Sequence, residues 1–210
     1  MLYFDTLPKI VTVDNNNNPV IATNLLSRAS IIQNLLVNPA LFYTYDIQDG
    51  DTPEIVASKY YGDPYRYWLV LFSNQILDPQ WQWPLSSVQF ESYMEDKYGA
   101  LAAGNNQTMV AYTQTIVQEY RKIYTSYDST TANTTTINYT IDQNTYTNLI
   151  TGTQTVNLPS GASCIITIEK TPIDLYTYEV EQNETKRTIN LINSIYAGQF
   201  EQQLDSLMNG

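Results

Sequence analysis

Two helix-start signals that follow each other closely constrain the fold of this chain more than any other sequence feature. Residues 49–68 read DGDTPEIVASKYYGDPYRYW. With Asp51 as N-cap, the glutamate three residues on completes a capping box; with Thr52 as N-cap, the next proline takes the first helical position. Gly62 suits the left-handed backbone that closes a helix. Asp63 and the proline after it repeat the signal, so two short helices in succession are predicted.

The second of these helices is apolar on almost every side. Residues 68–72 read WLVLF, and a helix of this composition is normally buried all round. A module of about 45 residues buries a smaller fraction of its surface than a larger domain does, and it has too little mass to cover such a helix alone. We therefore expect another part of the chain, or another chain, to cover it.

The residues on either side of the two helices predict strands that complete a βααβ unit over residues 43–85. YDI at 45–47 predicts the first strand, and WQWPL at 81–85 predicts the closing strand after a break at Asp78. Ser86 or Ser87 is the expected cap of a further helix. The predicted core residues of the unit are Val56, Ala57, Trp68, Leu71 and Phe72, and the further helix carries Phe90, Tyr93, Met94 and Lys97 on one side.

The amino-terminal residues predict a hairpin and a helix. Two β-prone runs flank DNNNNP, and asparagine tolerates the left-handed backbone of tight turns. Apolar residues then recur at helical spacing before Pro39. They are Leu25, Ala29, Ile32 and Leu36. This helix is expected to pack on the core, with a partner contact as the less favoured alternative.

After a linker-like ALAAGNNQ, the pattern changes to alternation typical of antiparallel strands. The alternating sets are Ile137, Tyr139 and Ile141; Cys164, Ile166 and Ile168; and Tyr176, Tyr178 and Val180, with turns at Pro159–Gly161 and Gln182–Asn183. The Thr-rich tract 125–157 is either an exposed ribbon or a partly ordered arm. YAGQFEQQLDSLM at the end predicts an amphipathic helix, whose apolar stripe consists of Tyr196, Phe200, Leu204 and either Leu207 or Met208. The predicted parts are 1–42, 43–100 and 101–210.

The residue types present argue against catalysis, cofactors and nucleic acid. The chain has no histidine and a single cysteine, Cys164, which lies in an apolar run and suits packing better than nucleophilic attack. A net charge of −11 repels phosphate backbones. We expect no enzymatic activity, no metal, no cofactor and no small-molecule substrate. With no run approaching ~18 apolar residues and no secretory signal at the start, we also expect no membrane contact and assembly in a cytoplasm.

Residues 42–87 resemble two known families. The order of strand, DGDTPEIVASKYYG, second helix, Asn74 and closing strand resembles the lysin-motif (LysM) fold, which usually binds peptidoglycan or chitin. Tyr61-Gly62, Tyr67-Trp68, Asp78-Pro79 and Trp83-Pro84 are similar to the LysM-like segment of the baseplate wedge subunit of T-even-type contractile-tailed bacteriophages. YFDTLPKI near the start and YTYEVEQNETKRTINLI near the end are also similar to that family.

The second resemblance implies a structural role in a virion. It implies an α+β fold in which a hairpin and helix precede the LysM-like βααβ module, and a β-rich antiparallel part and a carboxy-terminal helix follow it. It further implies a baseplate wedge subunit that contacts other wedge proteins in a six-fold hetero-oligomeric ring and helps join wedges around the central hub. The residues expected at partner contacts are Tyr67, Trp68, Trp81, Trp83, Tyr196, Phe200 and Leu204. The alternative is a glycan-binding LysM module in which Trp81 and Trp83 stack on sugars.

Overall fold

The computed structural model describes residues 7–24, 40–157 and 163–209. These residues form two compact units. The first contains the described residues up to Gln89 together with those from Asn183 onward, and the second is Phe90–Gln182. The helix predicted around Leu25–Leu36 and the turn predicted at Pro159–Gly161 lie outside the described residues.

The described elements are mixed strands and helices. The strands are β1 (Lys9–Val13), β2 (Pro19–Thr23), β3 (Phe42–Asp46), β4 (Val117–Asp128), β5 (Asn133–Ile141), β6 (Gly152–Asn157), β7 (Ser163–Asp174) and β8 (Thr188–Ile192). The helices are α1 (Pro53–Tyr61), α2 (Tyr67–Ser73), α3 (Pro79–Gln82), α4 (Ser87–Gly104), α5 (Met109–Thr115), α6 (Gln143–Asn148), α7 (Leu175–Glu184) and α8 (Ser194–Asn209), with a 3-10 turn at Pro64–Arg66. All described strand pairs are antiparallel, which confirms the α+β prediction.

Strands β1 and β2 form the predicted hairpin around the asparagine cluster. The Asp14 carboxylate accepts hydrogen bonds from the backbone N–H of Asn16 at 2.8 Å and of Asn18 at 2.9 Å. Asn17 takes a left-handed backbone with φ of 66°. The turn therefore uses the two properties that make Asp and Asn common in tight turns, which are side-chain acceptance and tolerance of positive φ.

Helices α1 and α2 begin and end close to the predicted residues. Thr52 is the N-cap of α1 and accepts from the Ile55 N–H at 3.3 Å, so the second of the two capping alternatives holds. Gly62 closes the helix with φ of 71°. Asp63 then accepts from the Tyr65 N–H at 2.9 Å, and a 3-10 turn leads into α2.

The predicted closing strand at 81–85 is wrong. Asp78 accepts from the Gln80 N–H at 3.0 Å and a proline follows it, so this segment starts the short helix α3 by the same capping signal as α2. Strand β3 instead pairs with β8, from Phe42 opposite Ile192 to Asp46 opposite Thr188. The two-stranded sheet of this unit thus takes its second strand from the carboxy-terminal part of the chain.

This pairing also supplies the cover that the apolar helix α2 requires. One buried cluster joins residues of α1 and α2 to β8: Ile47, Val56, Ala57, Val70, Trp83, Ile189 and Leu191. A second joins α2 to α8: Trp68, Leu69, Ile192, Ala197 and Leu204. Val56, Ala57 and Trp68 are buried as predicted, whereas Leu71 and Phe72 pack at the edges.

The second unit contains a four-stranded sheet in the order β5-β4-β7-β6. Its buried cluster is formed by Met94, Ala102 and Met109, with Phe90 and Tyr93 packed against it. Most of the Thr-rich tract 125–157 lies in strands β4, β5 and β6 of this sheet, in agreement with the prediction of an exposed ribbon.

The strand predicted at Tyr176–Val180 is wrong, because these residues lie in helix α7. The Asp174 carboxylate accepts from the Thr177 N–H at 2.9 Å and from its hydroxyl at 2.8 Å. This is the hydrogen bonding of a helix N-cap, and it outweighs the alternation of apolar residues that follows. The turn predicted at Gln182–Asn183 falls inside the same helix.

Replacing Trp68 by alanine should destabilise the first unit far more than replacing Trp81. Trp68 is 4% exposed between α2 and α8, whereas Trp81 is 66% exposed. Deleting a buried aromatic side chain costs about 3–5 kcal/mol, and exposed substitutions usually change stability by about 0.5 kcal/mol or less. Urea unfolding of Trp68→Ala and Trp81→Ala measures both values; equal losses would show that the core is misplaced.

Candidate interaction surfaces

The residues predicted at partner contacts are divided by the structure into a buried group and one exposed residue. Trp68, Trp83 and Leu204 are buried within the chain, and Tyr67, Tyr196 and Phe200 pack partly buried against the same clusters. Trp81 is exposed. The apolar stripe of α8 therefore packs against Trp68 and Leu69 of α2. Substitutions in this stripe are expected to lower the stability of the first unit.

Trp83 has a defined role inside the chain. Its indole Nε1–H donates to the backbone oxygen of Asp51 at 2.8 Å, next to the N-cap of α1. Its ring belongs to the buried cluster with Val56 and Leu191. One of the two rings that the glycan alternative assigns to stacking, Trp83, is thus engaged in the core.

Leu77, just before helix α3, and Trp81, within it, are both exposed apolar residues. Leu77 is 77% exposed, and sequence reasoning missed it because its apolar character alone does not indicate exposure. The backbone beneath is well held: the Gln82 side chain accepts from the Leu77 N–H at 2.8 Å, and Lys186 donates to the Trp81 oxygen at 2.8 Å. We call Leu77 and Trp81 the α3 surface; exposed aromatic residues on a fixed backbone are typical of protein contacts.

A buried carboxylate organises the neighbouring loop. Asp51 accepts from the Tyr45 hydroxyl at 2.8 Å, from Lys59 Nζ at 2.6 Å and from the Gln48 N–H at 3.2 Å. Burial by itself raises the pKa of Asp51, but these hydrogen bonds outweigh it and hold the pKa below its ordinary value. These hydrogen bonds join strand β3, through Tyr45, to helix α1, through Lys59, so the Asp51 carboxylate stabilises the fold.

An open groove of about 260 Å³ lies beside this network. It is lined by Gly50, Thr52, Pro53, Trp83, Pro84 and Arg187, among others. The Arg187 side chain is already held by Glu184, with Nε at 2.7 Å from the carboxylate. The charged groups of the groove therefore have partners within the chain, as the Asp51 network does.

Neither a membrane-spanning helix nor a metal-binding cluster is found among the described residues. None of their helices is long and apolar enough to cross a membrane. In the same residues, no three His, Cys, Asp or Glu side chains come together in a way that would hold a metal ion.

The comparisons with known proteins identify a structural family of phage tails. The model of base plate wedge protein 53 matches residues 1–204. The match covers nearly the whole chain, so the chain belongs to the base plate wedge protein 53 family. Its role is accordingly structural, in the base plate of a phage tail, and it is a virion protein. A comparison with curated proteins gives no match.

Asp51→Asn should lower stability in a pH-dependent way. The folded-state pKa of Asp51 lies below the unfolded value of about 4, so its contribution is present above that pH and is lost as pH falls through the folded pKa. At pH 7 the variant should lose about 1–3 kcal/mol, the cost of breaking a buried charged hydrogen-bond network.

The measurement is the free energy of urea unfolding at pH 7 and at pH 3. The difference between wild type and Asp51→Asn should narrow at the lower pH. Asp96→Asn, at an exposed position of α4, is the control and should stay within about 0.5 kcal/mol at both. A wild-type advantage that is the same at both pH values would contradict the assigned network.

Proposed function

We propose that this chain contacts other base plate wedge proteins and helps to join wedges around the central hub, in a six-fold hetero-oligomeric ring. The observation that carries the proposal is the family match over residues 1–204, which supports a structural role in the base plate. The α3 surface supports it from the side of the structure, since Leu77 and Trp81 are exposed on a fixed backbone. We place a direct partner contact at Trp81.

The other predicted contact residues support this surface from within the chain. Trp83 and Trp68 hold helices α1 and α2, and Phe200 and Leu204 hold α8 on that core. Their substitution would act on assembly through the stability of the first unit. A contact made by Trp81 can be tested separately because its side chain is exposed.

The proposal includes no catalysis, nucleic acid, membrane or small-molecule substrate, and it places assembly in the host cytoplasm. The lack of histidine removes the most common general base, and the net charge of −11 disfavours phosphate backbones. The glycan alternative has less support, because only Trp81 of its two stacking rings is exposed; Trp83 is buried and its Nε1–H donates to the Asp51 backbone oxygen.

The test is coexpression of the chain with the other wedge proteins encoded by the same phage. Replacing Leu77 and Trp81 together by alanine should weaken association about tenfold or more, as expected for an exposed aromatic contact residue. Ile195→Ala is the control, because Ile195 is also exposed and apolar in the first unit. Association is measured by the amount of chain that copurifies with the wedge and by sedimentation.

The outcomes separate the candidates. Wild-type chain that does not associate with wedge proteins contradicts the proposed function. If the α3 variant and the Ile195 variant weaken association equally, the contact at Trp81 is contradicted, but the proposed function is not. Retention of the chain on purified peptidoglycan or chitin, without wedge proteins, would favour the glycan-binding alternative.

A further inference from the structure

The four-stranded sheet of the second unit has two chemically different faces. The strand register places Tyr124 opposite Ile137 on one side and Ile168 on the other, and it places Lys122 opposite Tyr139. Side chains directly opposite each other lie on the same face of a sheet. The central apolar residues of this face, which we call the apolar sheet face, are Tyr124, Ile137, Tyr139, Val156, Cys164, Ile166 and Ile168.

The opposite face is rich in threonine. One row crosses all four strands in register as Thr136, Thr125, Thr167 and Thr153. Hydroxyls in this row lie 3.3 Å apart between Thr125 and Thr136, and 3.1 Å apart between Thr153 and Thr167. This face also carries Ile123, Tyr127 and Ile165, but its higher threonine content suits water better than the composition of the apolar sheet face does.

The apolar sheet face is nevertheless open over much of its area. Ile137 is 41% exposed, Tyr139 47% and Val156 43%. Helix α6 packs over one end, where the rings of Tyr120 and Tyr146 lie 4.6 Å apart. Beyond this end, the aromatic and branched side chains of the described strands stay partly exposed, whereas sheets normally pack against a second layer.

The charges on this face select the chemistry of a partner. Lys170 is engaged by α6, because its Nζ donates to the backbone oxygens of Tyr146 at 2.8 Å and Leu149 at 3.1 Å. Lys122 lies 5.9 Å from the Tyr139 ring. Its ammonium forms no ion pair with any carboxylate in the described part of the chain.

The acidic residue at the far end of the face does not change this charge pattern. Asp128 is committed to the β4–β5 turn, where it accepts from the Thr130 N–H at 2.8 Å and from the Thr131 hydroxyl at 3.1 Å. Between its two ends, this face therefore combines apolar side chains and the neutral polar Ser126, Thr135 and Gln154 with one positive centre, Lys122, in a chain whose net charge is −11. A positive centre within apolar surroundings is complemented by a carboxylate.

We propose that the apolar sheet face binds another base plate wedge protein through an apolar surface that carries a carboxylate opposite Lys122. A second copy of this chain is disfavoured, since it would bring together two chains of charge −11. The proposal rests on the proposed function and adds to it a surface and the chemistry of the partner.

The first test places the same charges on opposite faces of one edge strand. Ile137→Glu with Tyr139→Glu alters the apolar sheet face, whereas Thr136→Glu with Asn138→Glu alters the threonine face of the same strand. Association with coexpressed wedge proteins should fall at least about tenfold for the first pair and less than about twofold for the second. Lys122→Glu should weaken association and Lys122→Arg should retain it. Urea unfolding verifies that each variant is folded.

The second test uses the single cysteine as a probe. Cys164 is half-buried on the apolar sheet face, opposite Val156, while exposed Thr155 lies on the threonine face. Maleimide labelling of Cys164 should be at least about tenfold slower in the wedge complex than in the free chain, because a covered thiol loses access to reagent. In the double variant Cys164→Ser with Thr155→Cys, the labelling rate should change less than about twofold.

The outcomes distinguish this proposal from the proposed function. If wild-type chain associates with the wedge and the two β5 pairs behave alike, or Cys164 labels equally fast in both states, the apolar sheet face is not a contact and this proposal alone fails. Protection of the thiol introduced by Thr155→Cys, in place of Cys164, would assign the contact to the threonine face. Wild-type chain that does not associate overturns both proposals.

Discussion

The antiparallel pairing of strands β3 and β8 holds the first unit together. Beyond the strand ladder, polar side chains at the end of α2 bond the backbone of Asn190: Ser73 donates to its oxygen at 2.7 Å, and the Asn74 amide both donates to that oxygen and accepts from its N–H at 2.8 Å. The Tyr61 hydroxyl donates to the Ile192 oxygen at 2.9 Å. Strand β8 is thus bonded on both of its flanks, by β3 and by the helices.

This pairing explains how a short helical module can contain a helix as apolar as α2. Leu191 and Ile192 are completely buried, and they contribute to the two clusters that surround α2. Helix α8 follows β8 directly and adds Ala197 and Leu204. The loop that such a pairing closes is long, but the entropic cost of closure grows only slowly with loop length. The second unit, Phe90–Gln182, lies within this loop of the chain.

Local signals in the sequence predicted the elements whose ends are fixed by neighbouring residues. The turn at Asp14, the N-caps at Thr52 and Asp63 and the closing Gly62 all depend on contacts within a few positions. The partner of β3 could not be predicted in this way, because the pairing joins distant residues and the nearer WQWPL run offered an attractive alternative.

For two segments predicted as strands, the sequence also contained helix-start signals, but the strand-like patterns outweighed these signals in the prediction. Asp78 before a proline repeats the helix start at Asp63, and Asp174 lies three residues before Thr177 at a capping distance. Among the contact candidates, composition could not separate exposed Trp81 from buried Trp83, because the two differ in tertiary packing alone. The division of the chain at residues 42 and 100 stays a prediction.

Hydrogen exchange measured by mass spectrometry on the free chain tests the β3–β8 pairing most directly. The amides of residues 42–46 and 188–192 that are hydrogen-bonded should be strongly protected and should exchange with a common opening free energy, as members of one cooperative unit do. Fast exchange of residues 188–192, while helices α1 and α2 stay protected, would contradict this account, because the helical module would then be stable without its carboxy-terminal strand.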